Sequence, residues 1–440
     1  MDWTSLPWLK MIQQAVDMLV GMLKSPAARN KISFALPLLV VTYFTFSRLL
    51  NEGLHAHIYD FGNEALRAVQ AWENHGFLAM GGMYPWGRTY YEANHFPEII
   101  YRSKTPLHLL PLWAGYRLFG ESAYHLFKLY WSLAIVILIA LLLATIATAC
   151  FASIRAGNRQ LVFGVTYSIA ITNEALLRYC LVDEPQYLGL LLHLAGVVLL
   201  LGWIRQPFHA VGRLRSAAGT FFLASWTYPI LGGINWLTLM GLSRLRLGKR
   251  LRKGLRSILI ASILGPILYF LQRFIASAMF PGRLLGQSLP TRMGFTPDKI
   301  FHNGVFDALE FLIWQKSGLN MEESGVALSH ALEHYGIWVI GLCLFVLCLA
   351  RSCGNRQLLL ILAAGEMWLF IPLFHQTLSQ HPWIYGILFM PSVVLGWVGG
   401  LALLLPKRKI NLFAPSILAS LGVLIWAIQL RFFLANYLAF

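Results

Sequence analysis

The chain has few charged residues and very few acidic ones. Only 12% of its 440 residues are charged, and 19 residues are acidic. Soluble globular proteins are about 25% charged, so this composition excludes an ordinary soluble domain. The sequence also has no internal repeat, no low-complexity tract and no alternating ten-residue strand pattern. A repeat protein and a membrane-spanning sheet are therefore excluded as well.

Cysteine is scarce, and its positions do not suggest a metal site. The five cysteines are scattered through or beside apolar segments, at positions Cys150, Cys180, Cys343, Cys348 and Cys353. They form no metal-ligand spacing and no obvious pair outside the membrane, so packing is the expected role.

Apolar residues dominate instead. The chain is 57% hydrophobic with a mean hydropathy of +0.61, and several runs approach the ~20 residues that cross a bilayer as a helix. Because backbone groups in lipid must be satisfied internally, the sequence predicts an all-α, polytopic transmembrane bundle of about 11 spans. The predicted full spans are 31–50, 129–152, 161–182, 186–204, 257–279, 335–350, 357–373, 384–405 and 411–434.

Two predicted spans are shorter than a bilayer. The stretch "AAGTFFLASWTYPILGGINWLTLMGL" follows Arg215 and must leave and re-enter the same face. It is too short for two crossings, so we expect two half-length helices broken around Pro229 and Gly232–Gly233.

Residues 1–30 carry Lys10 and Asp17 and are expected to form an interfacial helix, with no cleavable signal peptide.

The net charge of +16 could indicate nucleic-acid binding, but its placement indicates membrane orientation. Most basic residues fall in short segments that one topology places inside, most densely in "SRLRLGKRLRKGLR" from Arg244 to Arg256. This topology has a cytoplasmic N-terminus, an outside C-terminus and two outside loops, 51–128 and 281–334. Residues 31–440 then form a single transmembrane domain, and we expect no nucleic-acid partner.

The first outside loop is expected to carry two helices lying on the membrane. In "HIYDFGNEALRAVQAWENHGF", apolar residues recur at helical spacing after Asp60. Asp60 either caps this helix or takes part in catalysis. In "YRSKTPLHLLPLWAGYRLFG", Pro106 marks the start of a second helix. Lys104 stands just before it, beside Tyr101, and either snorkels to the interface or contacts a phosphate.

Two more outside segments gather polar residues. "LVDEP" places Asp183 and Glu184 between two spans, where carboxylates are costly unless paired, metal-bound or solvated. "FHQTLSQHPWIYG" places His381 and Tyr385, after His375, on the same face, as weak indicators of a metal. The predicted topology places Asp60, Lys104, Asp183 and His381 on the same side of the membrane. Carboxylates and a cation at a lipid-accessible mouth are what transfer from a lipid phosphate requires.

In these motifs the chain resembles the polyprenyl-phosphate-dependent glycosyltransferases of the GT-C superfamily, of the lipid A aminoarabinose transferase and protein O-mannosyltransferase type. The resemblance covers about 1–270 and 375–400. The motif positions are Asp60 after the first span, Tyr101, Lys104 and Pro106 of "YRSKTP", Lys128, Asp183 of "LVDEP" and the "HPWIYGILFMP" segment. The chain departs where Phe61 replaces a second acid, where Glu184 precedes the proline, and where the hairpin lacks a lysine.

The resemblance implies an inverting transfer on the outer face of a bacterial cytoplasmic membrane. The donor would be a sugar on a polyprenyl phosphate such as undecaprenyl phosphate, and the acceptor a glycan, lipid or protein, as in lipopolysaccharide or O-antigen assembly. Asp60 would be the general base or a metal ligand, and Tyr101, Lys104 and Lys128 would bind the donor phosphate. Asp183 would help bind the donor or a divalent ion (Mg, Mn or Zn). Glu184, His381 and Tyr385 would border the donor, acceptor or metal.

Two other functions stay open at this stage. An O-antigen-type polymerase or ligase would rely on the 281–334 loop, whose polar residues are Arg283, Arg292, Asp298, His302, Asp307 and Glu310. A non-catalytic transporter or flippase for a lipid-linked sugar would carry an ionisable group deep in a span, and Glu366 is the main candidate.

Overall fold

The chain is described here from a computed structural model. The residues it describes are 38–39, 41–43, 45–46, 58–80, 82, 84–85, 100–101, 106–151, 159–173, 176, 185–205, 211–229, 231–232, 235, 238, 249–280, 284–285, 340–352, 354, 356–363 and 382–404. The predicted interfacial helix 1–30, the predicted span 411–434 and most of the 281–334 loop lie outside them. The chain divides into two compact units, Met1–Leu50 and Asn51–Phe440.

The described part is helical apart from three strands of two residues each. The helices, in chain order, are α1 Ile58–His75, the 3₁₀ helix η1 Leu107–Leu109, α2 Leu110–Phe119, α3 Glu121–Phe151, α4 Arg159–Ile171, α5 Pro185–Arg205, α6 Val211–Thr227, α7 Lys249–Met279, α8 Ile340–Arg351 and α9 Pro382–Leu404. Residues 356–363 are also helical. In the first unit, the described residues are helical too, and Thr42 Oγ1 donates to Leu38 O over 2.7 Å.

Three of the described helices are long and apolar enough to cross a membrane: Glu121–Phe151, Pro185–Ile204 and Leu251–Met279. Shorter apolar helices are Val162–Ile171, Ile340–Arg351 and Met390–Gly400. The helical membrane character predicted from composition is thus borne out in its coarse form, whereas the number of eleven spans stays a prediction.

Helix boundaries differ from the predicted spans where polarity changes inside a helix. Helix α3 begins at Glu121, eight residues before the predicted 129, and α7 begins at Lys249 instead of 257. Lysine, arginine and glutamate are good helix formers, so a helix continues after the apolar run ends. In contrast, α4 stops at Ile171 although the predicted span continues to 182, because the chain turns at Thr172 and Asn173.

Helices α5, α6 and α7 pack side by side, and their glycine contacts fix their directions. A methyl group placed on Gly196 would lie 2.9 Å from the Phe221 ring, and Gly202 is next to Arg213, so α5 and α6 are antiparallel. Gly254 lies against the Trp203 ring. The end of α5 therefore lies beside the starts of α6 and α7, and α6 runs parallel to α7.

Helix α6 reaches only about halfway along α7. Its last turn meets α7 at Gly265, where a methyl group would lie 2.6 Å from the Trp226 nitrogen. The helix ends at Thr227, just before Pro229, and Gly232 then packs against Pro266 of α7. A helix that ends before the proline was predicted and is observed, but it begins at Val211 and has 17 residues, so the predicted half length stays a prediction. The returning half lies largely outside the described residues.

Helices α3, α8 and α9 meet through small residues. Gly396 and Gly341 bring the backbones of α9 and α8 into direct contact, and Gly399 of α9 packs on Phe151 and on Cys348. Small residues let helix backbones approach closely in membranes, where the hydrophobic effect does not drive association. Because Phe151 ends α3, the later part of α9 lies beside the end of α3.

Candidate functional site at the first-loop end

Helix α1 packs on protein through its apolar side. Leu66, Val69 and Trp72 join Leu112 of α2 and Tyr124 of α3 in one buried cluster, and Trp72 is 1% exposed. This side therefore packs on protein, while the predicted position of the helix on the membrane surface stays a prediction. The spacing gives the side of the helix that is buried, but the partner that buries it is the α2–α3 corner.

A small sheet fixes the segment that contains Tyr101. Strand β2 (Ile100–Tyr101) lies between β1 (Tyr84–Pro85), with which it is antiparallel, and β3 (Leu284–Leu285), with which it is parallel. Strand β1 follows α1, and β3 follows α7, so β2 joins two segments that are distant in sequence. The chain leaves β2 three residues before Lys104 and re-enters the described part at Pro106, where η1 begins, as predicted.

An ion pair fastens α1 to α2. Arg117 Nε lies 2.9 Å from Glu73 Oε2, and Trp113 Nε1 donates to the same oxygen over 2.9 Å. The guanidinium also stacks over the Trp113 ring, 5.0 Å from its centroid. Hydrogen bonds from Arg117 and then from Trp113 lower the pKa of Glu73 below its ordinary value of 4.5. The carboxylate form therefore stabilises the docking of α1.

Replacing Glu73 by glutamine is expected to destabilise α1 docking by about 0.5 kcal/mol at neutral pH, since both partners are partly exposed. The lowered pKa sets the direction with pH: the stabilisation is present above the unfolded-state pKa and is lost as pH falls through the folded-state pKa. Thermal unfolding of the wild-type and Glu73→Gln proteins at neutral and acidic pH measures this. The difference should vanish in acid; a difference that persists there would contradict the ionic origin. Glu121→Gln, which removes an exposed carboxylate, is the control.

The predicted site residues are only partly within the described part. Asp60 is the third residue of α1, inside its first turn and not at a cap position before it. Tyr385 is the fourth residue of α9. Lys104, Asp183, Glu184 and His381 lie outside the described residues, as do His375 and Glu366. Their predicted roles remain predictions.

Lys128 is buried, with 4% of its surface exposed. It lies on α3 one turn after Tyr124 and one turn before Ser132, which are both buried too. Lysine is rarely buried without a compensating partner. Its place on the inner face of α3 is close in sequence to the buried cluster that holds α1, so this end of the protein contains a buried lysine side chain.

The helix directions gather the relevant segments at one end. Gln272, late in α7, donates to Gly82 O in the loop after α1 over 2.7 Å, so the later part of α7 lies at the same end as α1. We call the end at which α1 and the later part of α7 lie the first-loop end. Helix α5 ends beside the start of α7, so α5 begins at the first-loop end, and η1 packs against α5. Helix α9 ends near Phe151, the last residue of α3, so α9 also begins at the first-loop end. Asp183 and His381 immediately precede the regions where α5 and α9 begin.

No family model, curated protein or solved structure matches the chain.

A metal site is not visible in the described part of the chain. No group of three or more His, Cys, Asp or Glu side chains is close enough there to hold an ion. Two of the predicted contributors, Asp183 and His381, lie outside that part. The predicted divalent ion therefore stays a prediction, with Asp60 as the member whose backbone is described.

Sequence inspection overlooked two buried histidines. His193 in the middle of α5 is fully buried; its Nε2 lies 2.9 Å from Leu362 O, and its ring meets Phe221 edge-on. His108 of η1 is 5% exposed. The available signal for His193 was an ionisable residue inside the apolar run "LGLLLHLAGVVLLL", which is costly in a membrane and usually functional.

Proposed function

We propose that the protein is an integral membrane glycosyltransferase that takes a sugar from a polyprenyl phosphate and transfers it to a glycan, lipid or protein acceptor. Asp60 would be the catalytic base, and Tyr101 and Lys104 would hold the donor phosphate. The site would face the exterior or periplasm. The resemblance in sequence motifs suggested this function, and one arrangement of described elements supports it.

That arrangement is the first-loop end of the helical body. Asp60 in α1 and Tyr101 in β2 lie at the end where α5 and α9 begin. The two carboxylates of "LVDEP" directly precede α5, and η1, which follows Lys104 closely, packs against α5. The described elements α1, β2, η1 and the start of α5 thus lie at one end of the bundle, and the sequence places Asp60, Lys104 and Asp183 in or beside them.

The chemistry needs one base and one cation. The acceptor hydroxyl attacks the anomeric carbon as the bond from that carbon to the phosphate oxygen breaks, and the electron pair leaves with the phosphate. The hydroxyl proton passes to the Asp60 carboxylate. The lysine ammonium compensates the charge that develops on the leaving phosphate. Backside attack inverts the anomeric configuration. A divalent ion, where bound, would add positive charge at the phosphate, and Asp60 and Asp183 are the residues that would hold it.

Replacing Lys104 by alanine is expected to weaken binding of undecaprenyl phosphate at least tenfold, because a direct contact between a cation and a phosphate is lost. The measurement is the amount of lipid bound to the purified full chain in detergent, by native mass spectrometry. Arg102→Ala removes a basic residue from the same segment and should bind as the wild type does. Equal binding by Lys104→Ala and wild type would refute the phosphate role, whichever sugar is used.

The transporter alternative is favoured by two described features. Helix α6 stops halfway along α7, and His193 is buried near the middle of α5, as midplane sites of transporters require. Vesicles that hold the protein, a polyprenyl-phosphate sugar and an acceptor extract separate the two functions. A new glycosidic bond, detected by mass spectrometry, supports the transferase. Movement of intact donor between leaflets without a new bond supports the transporter.

A further inference from the structure

The basic end of helices α5, α6 and α7 lies opposite the proposed catalytic end. Arg213 and Arg215 at the start of α6 are exposed, as are Lys253 and Arg256 near the start of α7. Contacts of Gly202 with Arg213 and of Gly254 with Trp203 place these residues at the same end of the three helices. Positive charge is therefore concentrated there by the fold as well as by the sequence.

These three helices hold no internal counter-charge. Between Glu184 and Asp298 the sequence has no acidic residue, and this stretch includes the whole of α5, α6 and α7. Among the described residues, the acidic ones lie in α1 and at the start of α3, at the other end of the body. Of the cluster of seven basic residues that the sequence has from Arg244 to Arg256, five belong to α7, which carries no acidic residue, and this imbalance favours an anionic ligand.

An exposed apolar stripe continues from this cluster along α7. Its members recur at alternating steps of four and three residues and lie on one side of the helix, at positions Ile260, Leu264, Ile267, Leu271 and Phe274. Each is at least 47% exposed. Only 22% of the apolar window of α7 is buried, against 50% and 56% for α3 and α5. Lys253 and Arg256 precede Ile260 on the same side.

We propose that this side of α7 binds an anionic phospholipid, with its phosphate against Lys253 and Arg256 and an acyl chain along the stripe. The stripe from Ile260 to Phe274 is about 21 Å long at ~1.5 Å per residue. One leaflet is about 15 Å deep, half of a hydrocarbon core of ~30 Å, so an acyl chain would cover the stripe as far as Leu271. Head and tail of a single lipid therefore match the basic and apolar parts of the helix in order.

Charge decides against a second copy of the chain as the occupant. Copies in one membrane share their orientation, so a two-fold dimer through this stripe would pair α7 in parallel. Lys253 and Arg256 would then face their own symmetry mates, and like charges at a contact are destabilising. An anionic headgroup reverses the sign of that interaction.

The test measures binding of palmitoyl-oleoyl phosphatidylglycerol to the full chain, purified in detergent, by native mass spectrometry. We expect Lys253→Gln/Arg256→Gln to bind roughly thirtyfold more weakly, since each basic residue near an anionic lipid surface contributes about 1 kcal/mol and ~1.4 kcal/mol is a factor of ten. Lys253→Arg/Arg256→Lys keeps both charges and should bind as wild type does. Arg273→Gln removes a charge late in the same helix, where the guanidinium lies 5.5 Å from the Tyr269 ring centroid, and should leave binding unchanged.

Several outcomes would overturn the lipid site. These are equal binding of phosphatidylcholine, equal loss in Arg273→Gln, or displacement of the lipid by millimolar inorganic phosphate, which would indicate a plain anion site. A two-chain species that disappears in Leu264→Asn would assign the stripe to a dimer. The measurement does not involve a sugar donor, so its result is independent of the proposed transferase activity.

Discussion

Replacing Gly396 by alanine is expected to lower the free energy of unfolding by about 3 kcal/mol. A methyl group on Gly396 would collide with the carbonyl oxygen of Gly341 and lie 2.9 Å from the Phe345 nitrogen. Both atoms belong to the backbone of α8, which cannot rotate away as a side chain can. The two helices must separate instead, and overpacking of this kind costs typically 1–3 kcal/mol, with backbone contacts at the upper end.

Gly219→Ala provides the matched control. Gly219 is also a helical glycine, but no atom lies within 4 Å of a methyl group placed there. Alanine should be neutral or slightly stabilising at that position, because it restricts the unfolded chain. Thermal unfolding of both variants in the same detergent gives the comparison. If Gly396→Ala unfolds at the wild-type temperature, the close α8–α9 contact is not part of the folded protein.

Replacing Asp60 by asparagine is expected to reduce sugar transfer by at least a hundredfold. If Asp60 is the base, the amide cannot take the acceptor proton, and a positioned base contributes typically 10²–10⁴-fold. The substitution is nearly isosteric, and Asp60 lies in the first turn of α1, whereas the buried cluster that docks α1 begins at Ala65. Folding should therefore be preserved.

The measurement is the rate of glycosidic bond formation with a saturating lipid-linked donor. Undecaprenyl phosphate binding should be unchanged in Asp60→Asn, in contrast to Lys104→Ala, which loses binding first. Glu121→Gln removes an exposed carboxylate at the same end and should transfer at the wild-type rate. Wild-type turnover in Asp60→Asn would remove this residue from the mechanism and leave the acidic pair of "LVDEP" as the alternative base.

Local features of the sequence predicted helix positions well where proline or a long apolar run defines them. The span predicted at 186–204 is observed as Pro185–Arg205, and η1 begins after Pro106. Helix α6 ends two residues before Pro229, close to the predicted break. Hydropathy was less reliable at polar boundaries: α3 and α7 extend beyond their apolar runs, while Thr172 and Asn173 end α4 within one.

Sequence periodicity could not predict what covers an apolar side. The spacing in α1 is the same whether its apolar residues meet lipid or protein, and only tertiary packing against Leu112 and Tyr124 distinguishes the two. The two-residue strands were equally hidden, since strand alternation needs at least four residues to be seen. For the candidate site, the sequence supplied residue types and a predicted common side, but the distances among the residues depend on long-range contacts.

Strand β2 lies between two partners that belong to different loops. Any shift of the Tyr101 peptide must therefore be followed by Tyr84 on one side and Leu285 on the other, or the backbone pairing breaks. A ligand that displaces the backbone just after Tyr101 would therefore also displace Leu285, which follows the end of α7. The β1–β2–β3 pairing therefore couples the segment around Tyr101 to the segment that follows α7.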